Sequence, residues 1–302
     1  MRYIKSVLAS DESISADTVT TYDLPTNPLS HIIFTLRCLN VTDEATLAEI
    51  LARITKIEVL HRGAAIISIS GADLFYLNAI LFKNMPFLNN QVADDNAHRY
   101  IPFIIPFGRK MYDKNEAFPA SRKGELQLQI TISGTESAVD GVRFQIETVE
   151  LPEANPSKFI KVTTISKTLV SGSDTDVDLP IGNKLRGILL FSTTIIAAAT
   201  DTNTIESIKF LLDNIEYNVS KSNWESMRGE LISRLGHRAA YDASADNDDL
   251  ANYALVDFDP TEDDEFIFDT KGASRVVLRL SAGASDAARI LPIELVDASN
   301  VK

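Results

Sequence analysis

The chain has a single cysteine, Cys38, among 302 residues, so no intramolecular disulfide can brace it. There is one tryptophan, Trp224, and the four histidines, His31, His61, His98 and His237, never stand as His-x-His or His-Glu-x-x-His. Enzymes that fix a metal ion from one strand or helix need such pairs, so they are disfavoured. No Walker loop, Gly-x-Gly-x-x-Gly fingerprint or Gly-x-Ser-x-Gly elbow occurs. No apolar run reaches the roughly 18 residues that span a bilayer, and the broken apolar run in Met-Arg-Tyr-Ile-Lys-Ser-Val-Leu-Ala-Ser argues against a secretory signal. Positive charge is scarce: 29 Lys and Arg face 42 Asp and Glu, leaving −13, which speaks against a nucleic-acid groove and for solubility. No catalytic, cofactor-binding or metal-binding residue is therefore expected, and the chain reads as non-enzymatic.

What is present is a globular composition, 45% apolar and 24% charged, in a length that exceeds what one core usually sustains. The order of the chain supports a division in two. Ile57 and Val59, then Ile67 and Ile69, alternate about Arg62-Gly63, the pattern of a hairpin. After Ser70 the period changes: Leu74, Leu77, Ile80 and Leu81 fall three or four apart behind Asp73, which predicts a helix. The unit recurs from Ile208, with Asp213-Asn214 at the turn, Ser220 in place of Ser70, and Trp224, Met227 and Leu231 in place of Leu74, Leu77 and Leu81. That is a shift of 150 residues; a shift of 158 would mismatch the helices.

Around these units each half supplies further strands. In the first they are Tyr3 to Leu8, Asp17 to Leu24, the apolar run Leu29 to Leu39, Tyr100 to Phe107, the alternating Glu125 to Ile132, and Val142 to Ile146. Pro102 and Pro106 each lack a ladder donor, so their strand belongs at an edge or a bulge. Thr42 precedes Leu47, Ile50, Leu51 and Ile54, which predicts a short helix peculiar to this half. Leu151-Pro-Glu-Ala-Asn-Pro marks the boundary, giving domains 1–152 and 153–302. Beyond it, Phe159 to Ser166, Asp174 to Leu179, Leu185 to Ala197 and Arg289 to Val296 repeat the pattern, with Ile188 over Ile32, Tyr253 and Leu255 over Phe103 and Ile105, and Phe268 over Phe118. Eight short strands per half suit a sandwich with two Greek keys, so the expected fold is all-β: two tandem eight-stranded jelly rolls, each with a short helix inserted.

Three loops carry charge. Gly108 to Lys123 is basic, and either faces acidic loops of a neighbouring copy or is simply solvated. Asp246 to Asp249 and Asp257 to Glu265 are acidic; they either gather oxygens about a calcium ion or are solvated, and they lack the spaced Asp-x-Asp-x-Asp-Gly pattern. Cys38 lies in an apolar run and reads as a small buried hydrophobe. Trp224, aligned with Leu74, reads as a helix anchor rather than a platform for sugar. Asn40-Val-Thr and Asn218-Val-Ser match the glycosylation pattern but mean little without a secretory signal.

The run from Lys56 to Asn78, followed by Ile101-Pro-Phe-Ile-Ile-Pro-Phe, resembles the double jelly-roll major capsid proteins of tailless, membrane-containing bacterial viruses, the corticoviruses and autolykiviruses in particular. The resemblance implies a structural protein of the virion, assembled in the host cytoplasm, whose homotrimers form pseudo-hexagonal capsomers that tile an icosahedral shell. It further implies minor capsid or penton proteins and an inner membrane as partners, no sequence-specific nucleic acid and no cofactor. The second half departs most from the pattern, through its acidic loop and its missing helix. An alternative of another class is a glycan-binding or glycan-cleaving twin jelly-roll protein, which would need exposed aromatics and a carboxylate pair.

Overall fold

A computed structural model of the chain describes all residues except 1, 14–16, 43, 84–85, 87–93, 134–137, 197–199, 218, 236–251 and 302. The chain divides into two compact units, the first running to Lys161 and taking up the chain again at Val296, the second running from Val162 to Leu295 around the undescribed segment.

In the first unit the elements are β1 (Ile4–Ser13), β2 (Val19–Asp23), β3 (Leu29–Asn40), α1 (Leu47–Ala52), β4 (Ile54–His61), β5 (Ala64–Ile69), α2 (Gly71–Phe82), β6 (His98–Pro106), β7 (Leu126–Ile132) and β8 (Val139–Glu150). They form antiparallel runs in the orders β1-β8-β3-β6 and β5-β4-β7-β2. Eight strands in those two orders are a jelly roll. Phe34 stacks on Phe144 at 4.7 Å and lies 5.9 Å from Phe103, so three adjacent strands of the β1-β8-β3-β6 sheet share one aromatic centre.

Next come β9 (Lys158–Thr163), β10 (Ile165–Thr168), β11 (Asp174–Asp178), β12 (Lys184–Ser192), β13 (Ile205–Leu212), β14 (Ile215–Glu216), β15 (Ser222–Asn223), α3 (Trp224–Leu235), β16 (Tyr253–Asp257), β17 (Phe268–Asp269), β18 (Val276–Ala282) and β19 (Ala287–Asp297). The second unit repeats the plan as β10-β19-β12-β16 and β11-β18-β13-β14, with β17 added to β12 and β15 to β13. Its core gathers Ile188, Leu190, Phe210, Trp224, Val256 and Leu278.

The duplication holds residue by residue. Leu29 bridges Phe118 as Leu185 pairs with Phe268, Ile57 faces Ile130 as Ile208 faces Leu280, and Tyr22 faces Leu128 as Val177 faces Leu278. Both central hairpins turn through two left-handed residues, Arg62 and Gly63 at φ 50° and 81°, Asp213 and Asn214 at 50° and 68°, the turn whose twist suits paired strands.

Several expectations need correction. Tyr253 and Leu255 are not the counterparts of Phe103 and Ile105. Phe34 faces Phe103 and Ile32 faces Ile105, whereas Leu190 faces Ala254 and Ile188 faces Val256, so the true shift on this strand is 151. A one-residue slip moves a strand's whole face, and it is Ala254 and Val256 that enter the core. The first helix is capped by Thr46, not Thr42: Thr46 and Glu49 form a reciprocal capping box, and Ile54 already belongs to β4. Ser70 caps α2 by accepting from the Asp73 N–H at 3.1 Å, but Ser220 does not directly precede α3, because β15 intervenes. The inward faces still agree, with Leu74, Leu77 and Leu81 buried on α2 and Trp224, Met227 and Leu231 on α3. The run Phe159 to Ser166 breaks at Thr164 into β9 and β10, and β12 stops at Ser192, short of Ala197.

The proline-bearing β6 does take the edge of its sheet. Its outer side is closed by Asn78 of α2, whose amide donates to the Ile104 carbonyl and accepts from the Ile104 N–H, each at 2.6 Å. An edge strand so covered cannot template further pairing there.

Candidate functional site

The groups that could do chemistry are separated. His31 is buried beside Ser30, whose Oγ lies 2.9 Å from its Nδ1, and under Tyr112 at 5.1 Å. Burial, with the Lys5 ammonium adding to it, pushes this imidazole down to about 4. His61 is lowered by burial first and by Arg62 second, against the pull of Glu125. His98 sits against Tyr100, and His237 lies outside the described residues. Cys38 is buried, and burial pushes its thiol up to about 11, which leaves no thiolate at neutral pH. Trp224 is buried on α3 and presents no stacking face.

A depressed imidazole makes a prediction about acid. The folded chain keeps His31 neutral at a pH where the unfolded chain, near 6.5, takes up a proton. The stability difference is therefore fully present above about pH 6.5 and is lost as pH falls towards 4, by up to about 3 kcal/mol. Thermal unfolding between pH 7 and 4 should fall more steeply for the unsubstituted chain than for His31→Gln. Parallel curves would remove His31 from the account.

The acidic loop at Asp257 to Glu265 turns its carboxylates on itself. Asp257 pairs with Arg234 and accepts from the Asp259 N–H, Asp259 accepts from the Asp264 N–H at 3.1 Å, and Asp263 accepts from the Thr261 hydroxyl and the Glu265 N–H at 2.6 and 3.0 Å. Among the described residues no three potential metal ligands converge. Asp246 to Asp249 and Asn218 lie outside the described residues.

The basic loop at Gly108 to Lys123 is built rather than merely solvated. Arg109 forks onto Glu116, with Nε 3.1 and 3.0 Å from the two carboxylate oxygens and the backbone N–H 3.1 Å from one of them. Tyr112, held at φ 64°, donates its N–H to Ser30 Oγ at 2.7 Å and lies edge-on to Tyr3 at 5.4 Å. Phe118 is buried under Phe107 and Phe159 at 5.6 and 5.2 Å. The loop thus presents Lys110, Met111, Tyr112 and Lys114 to solvent beside an exposed Tyr3. In the second unit, between β13, α3 and the loop after β16, a cavity of about 290 Å³ opens to solvent, lined by Ile208, Val219, Met227, Val256, Phe258 and Phe266. The cavity is also lined by Glu230 and Asp257, but Arg234 pairs with both carboxylates. A largely apolar cavity of this kind, with exposed tyrosines flanked by lysines, suits the docking of protein rather than the turnover of a substrate.

No protein-family model matches the sequence, and no curated protein does. Solved structures do. The major capsid protein of Sulfolobus turreted icosahedral virus is 14% identical, with a TM-score of 0.72 over 98% of this chain and 97% of that one. The major capsid protein P2 from bacteriophage PM2 is 13% identical, with a TM-score of 0.65 over 98% of each chain. This chain is a double jelly roll. The capsid protein of PBCV-1, 9% identical with a TM-score of 0.65 over 97% of this chain and 93% of that chain, has the same fold. At these identities the double jelly roll is shared while the side chains have diverged. No signal in the sequence marked the cavity, since its lining residues come from four separate segments of the double jelly roll.

Proposed function

We propose that this chain is a major capsid protein, with a structural and not a catalytic role in the virion. What carries the proposal is the match of the whole chain, both jelly rolls in one order, to viral capsid proteins of several hosts over nearly their full lengths. The duplicated sequences of its two rolls are 1–152 and 153–302, the start of the second, to Lys161, being held in the first compact unit. Duplication suits tiling: three chains supply six similar wedges, so that a pseudo-hexagonal homotrimer covers an icosahedral shell with few distinct contacts. The acidic excess faces water. Lys110, Lys114 and Lys123 in the first unit are placed for a neighbouring copy, a minor capsid or penton protein, or the headgroups of an inner membrane.

Sedimentation of the purified chain across a wide range of protein and salt concentrations should show a trimer, and electron micrographs of concentrated material should show hexagonal outlines or shells. A monomer under every condition overturns the proposal.

A further inference from the structure

One short motif occurs twice, in opposite environments. Tyr3-Ile4-Lys5 opens β1 and Phe159-Ile160-Lys161 opens β9, 156 residues apart, the same shift that lays Leu29 on Leu185. The second copy of the motif is engaged: Phe159 and Ile160 are 1% and 0% exposed. The Ile160 N–H donates to the Phe107 carbonyl at 2.9 Å, the Ala117 N–H donates to the Lys158 carbonyl at 3.2 Å, Glu116 bridges Lys158, and the Phe159 ring stands edge-on to Phe118. The first copy is open to solvent, with Tyr3 59% and Ile4 38% exposed.

The groups that receive the motif in the first unit have counterparts in the second. Phe258 is the counterpart of Phe107, because its N–H bonds to the Arg186 carbonyl as that of Phe107 bonds to Ser30. Phe268 is the counterpart of Phe118, because each pairs with the first residues of its central strand, Leu185 and Leu29. Phe258 and Phe268 lie 5.8 Å apart, much as Phe107 and Phe118 lie 5.6 Å apart. Glu116 and Ala117 correspond to Phe266 and Ile267. The 290 Å³ cavity is lined by Phe258 and Phe266, the counterparts of Phe107 and Glu116, so it adjoins the position that Phe159-Ile160 fills in the first unit, while Phe268 itself is covered, with Tyr217 5.3 Å away. Phe266, at 54% exposed, stands uncovered at its mouth.

We propose that this cavity receives Tyr3-Ile4-Lys5 from a second copy of the chain. The β1 segment, an edge strand, adds there by its outer edge while Ile4 keeps its pairing with Glu150 of its own chain, and the Tyr3 ring enters against Phe258 and Phe266. Strand addition supplies backbone bonds and the aromatic supplies the anchor. The contact joins two different surfaces, first unit to second, so copies follow one another head to tail and the series closes into a ring. This deepens the capsid assignment and rests on it.

The test is a disulfide trap in the full chain. Tyr3→Cys combined with Phe266→Cys places two exposed thiols at the proposed contact, while the native Cys38 is buried. Under mild oxidation the double variant should form covalent oligomers ending at the trimer, and neither single variant should form more than dimers. Independently, Ile4→Asp should raise the concentration at which the assembly half-dissociates by about 100-fold, with the circular dichroism of the monomer unchanged. If the unsubstituted chain sediments as a trimer but the double variant does not cross-link between chains and Ile4→Asp assembles normally, this contact is wrong and the capsid assignment survives. If the unsubstituted chain is always monomeric, both fall.

Discussion

Phe34→Ala is expected to cost about 4 kcal/mol of stability, the largest effect of any single core truncation in the first unit. Phe34 is fully buried on β3, the strand that pairs with β6 on one side and β8 on the other, and its ring stacks on Phe144 while touching Phe103. Removing it strips two aromatic contacts and leaves a void among rings that cannot collapse inward, since each is fixed by its own ladder. Urea unfolding followed by circular dichroism measures the loss. The second unit provides the control: the counterpart of Phe34, 156 residues on and facing Ala254 as Phe34 faces Phe103, is Leu190. A jelly roll of this plan accepts leucine there, so Phe34→Leu should cost about 1 kcal/mol. Equal losses for the two substitutions would mean that the aromatic contacts, and not side-chain volume, carry the stability at this position.

The next largest effect is expected at Gly108, where β6 gives way to the basic loop. A Cβ built there would lie 2.2 Å from the Glu116 carbonyl oxygen and 3.0 Å from the Glu116 Cβ, so the two backbones run in contact and only hydrogen fits between them. Gly108→Ala must push Glu116 away. That movement strains the Arg109 fork and the hydrogen bond from Ala117 to Lys158 together, at about 3 kcal/mol, the upper range for overpacking. Gly124→Ala is the comparison: its Cβ would meet open space, and only its left-handed backbone, φ 80°, resists a side chain, at about 1 kcal/mol. Should the two variants lose the same stability, close approach at Gly108 is not the constraint. Because Glu116 and Phe118 frame the seat of Phe159, Gly108→Ala also reports on how firmly the first unit holds its strand.

Much of the architecture was legible in the chain itself. The alternation of Leu126, Leu128, Ile130 and Ile132 can bury one face only as a strand, and all four are buried. Arg62-Gly63 and Asp213-Asn214 announce their turns because few residue pairs take two left-handed conformations in succession. Pro102 and Pro106 place β6 at an edge because they lack donors. Register is not legible there: Tyr253 and Leu255 are as buried as Ala254 and Val256, so composition does not distinguish the pair that faces the core. Of the two threonines ahead of the first helix, Thr42 and Thr46, it is Glu49, three residues beyond Thr46, that selects the cap.

The sequence by itself determined an acidic, duplicated, strand-rich chain without paired metal ligands, because period, turn chemistry and repeat distance are local properties that survive in one dimension. Only the tertiary structure decided that the aromatic-isoleucine-lysine motif is covered in one place and bare in the other, and that a cavity waits in the second unit beside the matching position. Those facts depend on which distant segments, Phe258, Phe266 and Met227 among them, come to line one space, and no spacing along the chain encodes that proximity.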